Sequence, residues 1–204
     1  MSGVLTELRK LRPPRQLTAS ESRRVAEQQA ARLLRLGGLY DTADLPVPEE
    51  LIAHLPRFVV RRYPLSGTIS GLTHWDSGRW CIALNSKEAL VRQRFSLAHE
   101  FAHIVEAPFE RYARPELVEP TADYFAACLL MPRSWVKRLW GEGHQDVRDL
   151  ARRFQVSEVA MNWRLNELRL REASDEQAGA LFTRHGRQAE TPRRNRRSYE
   201  RVAA

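Results

Sequence analysis

Phe95-Ser96-Leu97-Ala98-His99-Glu100-Phe101-Ala102-His103-Ile104-Val105 is the stretch on which the reading of this chain turns. Phe95, Ala98, Phe101, Ala102 and Val105 recur at the three- and four-residue spacing of a buried helical face, which predicts a helix over 91–105. On that helix His99 and His103 stand one turn apart on one side. Their imidazoles can converge on a single metal ion, while Glu100, the next residue round, reaches a water held by that ion. A pair of ordinary helix-surface histidines is the plainer alternative. It is weakened by the apolar residues between them, because buried His and Glu side chains need partners.

A site of this kind takes a third protein ligand and keeps a fourth position open. Glu119 is the candidate, at the head of a helix expected over 119–131, with Pro120 tolerated near its start and Pro132 ending or reshaping it. Asp123 follows four residues later on the same helical face, suitably spaced to accept a hydrogen bond from the outer nitrogen of a ligating imidazole. Phe125, Ala126, Leu129 and Leu130 form an apolar stripe that packs this helix against the first.

Upstream, Phe58-Val59-Val60, residues 69–75 and residues 79–84 are short β-rich runs. Asp76-Ser77-Gly78 between the last two is a hairpin turn, and three strands in succession predict a small antiparallel sheet. Before them, Thr18-Ala19-Ser20-Glu21 has capping-box spacing and leads into a helix carrying Ala26, Ala30, Leu33 and Leu34, ended by Gly37-Gly38; a short helix fits 48–54. Downstream, 146–154 and 157–170 read as two helices around a Val156-Ser157 turn, the spacing of a helix-turn-helix. In a DNA reader Glu158, Asn162 and Arg164 would face bases or phosphate. Substrate docking or plain packing is the favoured reading, since the same pattern serves as a packing unit in many proteins.

The 204 residues carry 33 Lys+Arg against 25 Asp+Glu, a net charge of +8 that invites a nucleic-acid partner. Its distribution argues otherwise: 1–36 and 184–204 each hold an excess of five positive charges, and 37–183 is slightly negative. The run Met1 to Gln16, with Pro13 and Pro14, reads as a loose basic arm, and the Arg-rich 183–204 as a disordered tail capable of weak nucleic-acid attachment. No apolar stretch approaches a membrane span, and the charged start lacks a signal peptide's apolar core. Cys81 and Cys128, far apart and unpaired by motif, read as buried thiols of a reducing cytosol, so a cytoplasmic protein is expected.

Arg92-Gln93-Arg94-Phe95-Ser96-Leu97-Ala98-His99-Glu100-Phe101-Ala102-His103 resembles the metal-helix run of the ImmA/IrrE-type metallo-endopeptidases. Glu119-Pro120-Thr121-Ala122-Asp123-Tyr124-Phe125-Ala126-Ala127-Cys128-Leu129-Leu130-Met131-Pro132 continues the likeness, and Ile82-Ala83-Leu84-Asn85 is similar to the family's last strand. The resemblance implies an α+β fold: a zincin-like core (N-terminal helix, three-stranded antiparallel sheet, two metal-bearing helices) with a helix-turn-helix-like appendage. The corresponding boundaries are an arm at 1–17, the core at 18–140, the appendage at 141–182 and the tail at 183–204.

It further implies one Zn2+ per chain on His99, His103 and Glu119, with Glu100 as general base. The expected action is limited cleavage of a regulatory protein, typically a helix-turn-helix repressor, in a bacterial or phage setting. Ala102, Thr121 and Asp123 depart from the commoner glycine, acidic or amide residue, and asparagine, and none of these departures removes a ligand or the base. By residue type His74, Arg94, Tyr112 and Tyr124 are candidates to stabilise an oxyanion. The competing expectation is a non-enzymatic, zinc-containing regulator that binds DNA or a partner, or a toxin–antitoxin component.

Overall fold

In chain order the computed structural model, which describes residues 3–42 and 45–171, runs through helices, a three-stranded sheet and helices again. The elements are α1 (Val4–Arg9), α2 (Ala19–Leu36), α3 (Glu50–Ala53), β1 (Phe58–Tyr63), β2 (Gly71–Asp76), β3 (Arg79–Asn85) and α4 (Leu90–Glu106). A 3-10 segment (Ala107–Tyr112) then leads to α5 (Pro115–Leu130), α6 (Arg133–Gly141), α7 (Val147–Phe154) and α8 (Glu158–Glu167). The architecture is α+β, as the sequence predicts.

The sheet differs from expectation in one respect. Its order is β1-β3-β2, with β3 antiparallel to β2 and parallel to β1. The sheet is therefore mixed, where three successive strands had predicted an antiparallel one. Adjacent strands sit about 4.8 Å apart, and the loop 64–70 is long enough to carry the chain past one vacant strand position. The hairpin fills that position on its return, through a two-residue turn in which Ser77 and Gly78 both have positive φ (45° and 82°), the type I′ geometry that suits strand twist. The central strand reads accordingly: Cys81-Ile82-Ala83-Leu84 is an unbroken apolar run, the pattern of a strand covered on both faces.

Helices α4 and α5 pack against each other, and α2 covers α5 from the far side. Every residue of α5 from Ala122 to Leu130 is buried as a result, a helix apolar almost all round because it is enveloped. Phe101 of α4 ties the layers together, its ring 5.7 Å from that of Phe58 on β1 and 6.0 Å from that of Phe125 on α5. The capping box at Thr18 is formed as the sequence predicts.

Three further boundaries are corrected. Helix α5 starts at Pro115, not at 119: Pro115 takes the first-turn place where its missing N–H costs nothing, and Pro120 lies within the helix, leaving only the exposed Glu116 carbonyl without its helical partner. Pro132 ends α5 but also opens α6, which buries Trp135, Val136 and Leu139. The segment expected as a loose arm is packed onto the body: Leu8 is fully buried, and Arg9 donates from Nη2 to the Ile104 carbonyl at 2.7 Å and from Nε to the Val105 carbonyl at 3.2 Å. The physical reason is that α4 ends with unpaired carbonyls, and the Arg9 guanidinium, four residues before the prolines, supplies their donors.

Asp146 and Ser157 cap α7 and α8 with their side chains, and Gln155 turns the chain between them at φ 51°. Arg164 of α8, a candidate phosphate contact, is instead fully buried. It donates to the Met131 carbonyl (3.0 Å), Glu167 (2.7 Å) and Glu27 (3.4 Å). The expected tail at 183–204 and the end of the appendage lie outside the described residues.

Candidate metal centre

The turn spacing of α4 brings His99 and His103 together as read, their Nε2 atoms 3.0 Å apart. Glu119 reaches in from the second turn of α5, its carboxylate oxygens 3.2 Å from His99 Nε2 and 3.5 Å from His103 Nε2. One ligand atom from each of the three lies within 4.8 Å of the others. Zinc-to-nitrogen and zinc-to-oxygen distances of about 2.0–2.2 Å at tetrahedral angles place ligand atoms roughly 3.3 Å apart. The three separations fall on either side of that value, so the donor set fits a cation of this kind.

Asp123 accepts from the opposite face of the same imidazole, its Oδ1 2.8 Å from His99 Nδ1. That hydrogen bond leaves Nε2 of His99 turned toward Glu119 and His103, the orientation a ligand needs. Burial is graded across the cluster: the His99 and Asp123 side chains are 10% and 8% exposed, those of His103 and Glu119 27% and 40%. The site is closed behind His99 and open in front of Glu119.

Electrostatics favour a cation here. Burial opposes charge on His99, but its hydrogen bonds to Asp123 and Glu119 and the nearby Glu100 carboxylate outweigh that and raise its pKa to about 10. The hydrogen bonds of His103 and His99 hold the Glu119 carboxyl well below the ordinary carboxylate range. A proton on His99 thus occupies the place of positive charge that three nearby carboxylates create, and a divalent cation can displace it.

Glu100 lies under β2. A Cβ placed on Gly71 would stand 3.1 Å from Glu100 Cγ and 3.3 Å from its Oε1, so any larger residue here crowds this carboxylate by a few tenths of an ångström. Sequence reasoning missed Gly71 as part of the site, although a lone glycine inside a strand is the mark of a close approach.

The four oxyanion candidates fare differently. Tyr124 donates to Glu167 at 2.8 Å, and Arg94 donates to the Val47 carbonyl at 2.7 Å; both side chains are committed to partners outside the His99, His103 and Glu119 cluster. By strand alternation His74 stands on the face of β2 opposite Gly71. Tyr112 closes the 3-10 segment with the Arg111 guanidinium 4.7 Å over its ring.

Two imidazoles and a carboxylate converging beside a further free carboxylate make up the donor set of hydrolytic metal sites. The chain belongs to the Peptidase_M78 family: the model of its IrrE N-terminal-like domain matches residues 57–166, from the start of the sheet to α8. Among solved structures, a Mycobacterium tuberculosis transcriptional regulator is similar in fold, with a TM-score of 0.55 and 17% identity. The alignment covers 81% of this chain and 52% of that one, so this chain spans about half of that protein's length. No curated protein matches the chain.

Proposed function

We propose that the chain is a zinc-dependent endopeptidase that makes a limited cut in a regulatory protein, a helix-turn-helix repressor being the expected substrate class. The observation that carries the proposal is the convergence of His99, His103 and Glu119, with Glu100 beside them against Gly71. His99, His103 and Glu119 would hold the ion. Bound zinc supplies a water of lowered pKa and polarises the scissile carbonyl. Glu100 takes the proton of the attacking water and delivers it to the departing amine. Asp123 keeps His99 in the ligating tautomer, and the exposed side of Glu119 leaves the approach for a peptide.

A cytoplasmic location is part of this reading, and among the described residues no helix is long and apolar enough to cross a membrane. The competing DNA-binding reading loses Arg164, buried at the α8 core-facing side, and finds Glu158 beside Arg148 at 3.6 Å.

The test compares wild type with Glu100→Gln, each assayed for zinc and for cleavage of helix-turn-helix repressors encoded beside it. Equal zinc with cleavage abolished in the variant is the expected result. Cleavage undiminished in Glu100→Gln overturns the mechanism.

A further inference from the structure

β2 is an edge strand of the sheet. The Asn85 amide donates to the Ser70 carbonyl at 2.9 Å, and the turn closes on the Asp76–Arg79 pair. Antiparallel pairs alternate between bonded and non-bonded, so Leu72 and His74 direct their backbone groups to β3, while Gly71, Thr73 and Trp75 turn theirs to the open edge. Their side chains share the face on which Gly71 meets Glu100. A row of backbone donors and acceptors beside the catalytic carboxylate is complementary to one kind of occupant, an extended polypeptide.

Trp75 is 52% exposed at the far end of this row, about 13 Å along the strand from Gly71. Its ring rests edge-on against Trp80 at 5.1 Å, and Trp80 packs against the core. An aromatic ring so held offers a rigid apolar wall at little entropic cost.

We propose that Trp75 is a specificity-determining residue: it receives a large apolar side chain four residues from the substrate residue that lies opposite Gly71. A peptide laid along the edge places these two side chains on the same face as Gly71 and Trp75, whichever way it runs. This rests on the peptidase reading, because only that reading gives an extended peptide a reason to lie beside Glu100.

The test uses the full chain, zinc-loaded, as Glu100→Gln, with a displayed library of short random peptides as the probe. Retained peptides should share a Trp, Phe, Leu or Met. Their affinity should fall about tenfold or more in Trp75→Thr, recover in Trp75→Phe, and stay unchanged in Val159→Thr, whose apolar side chain on α8 is equally exposed. Binding should also slow amide exchange at Gly71, Thr73 and Trp75. Retained peptides lacking a large apolar residue, affinity unaltered in Trp75→Thr, or no peptide retained would each overturn the proposal. Offering the same peptides to wild type separates the two readings. Trp75-dependent binding without cleavage removes the peptidase reading and leaves the Trp75 assignment; cleavage indifferent to Trp75 does the reverse.

Discussion

Asp123 and Glu119 lie one helical turn apart on α5 and grip opposite ends of the His99 imidazole, Nδ1 and Nε2. Their replacements therefore differ in kind. If the proposed zinc site is right, Glu119→Ala removes one of its three ligands, and zinc should be absent from the purified protein. Asp123→Ala leaves three ligands with one misoriented, so zinc should bind about 10–100-fold more weakly, as read by competition with a chromophoric chelator. The metal-free protein has its own signature. His99 there has its pKa raised from 6.5 to about 10, so the proton stabilises the fold fully below pH 6.5, and that contribution is lost as pH rises toward 10. The urea midpoint of metal-free protein should fall across that window and fall less in Asp123→Asn, while zinc affinity rises with pH because binding displaces the proton.

At the scale of elements, what the sequence discloses depends on how far apart in the chain the interacting groups lie. The i, i+4 pairs His99/His103 and Glu119/Asp123 are written in helical period and could be read directly. The β2–β3 hairpin was also legible, because Ser77-Gly78 carries its turn geometry locally. The parallel pairing of β1 with β3 was not, since it depends on where a seven-residue loop lets β2 land. Gly71 belongs with the second class: its place over Glu100 follows from register, and only its presence inside a strand hinted at it.

Gly71→Ala should leave zinc content intact and lower kcat about tenfold, because the new Cβ displaces the Glu100 carboxylate by a few tenths of an ångström; an unchanged kcat would remove Gly71 from the site. The α1 clamp was equally hidden. Its basic residues look like an arm until the carbonyl end of α4 is seen beside them. Arg9→Ala should cost about 1–3 kcal/mol by leaving the Ile104 and Val105 carbonyls unpaired, measured by urea unfolding.

Across the whole molecule, the charge excess that suggests nucleic acid is partly internal. Arg9 binds carbonyls, Arg12 pairs with Glu106 at 3.0 Å, and Arg164 is sealed among Glu27, Glu167 and the Met131 carbonyl. The last of these clusters joins α2, α5, α6 and α8, with Arg133 on Glu27 and the Tyr124 hydroxyl on Glu167. Tyr124 adjoins Asp123 in the chain, so α5, whose Asp123 accepts from His99 of α4, is tied to the α7–α8 pair by the same bonds. Two consequences can be measured together. Arg164→Ala strands two carboxylates and should cost about 3–5 kcal/mol, roughly a 10 °C drop in Tm for a chain of this size. And because the cluster spans both parts, the α7–α8 pair should not melt ahead of the metal site: release of zinc to a chelator and loss of near-ultraviolet dichroism from Trp163 and its neighbours should share one transition in wild type and in the variant. Helical signal lost well below the temperature of zinc release would mean that α7 and α8 form a separate unit, docked on the core without stabilising it.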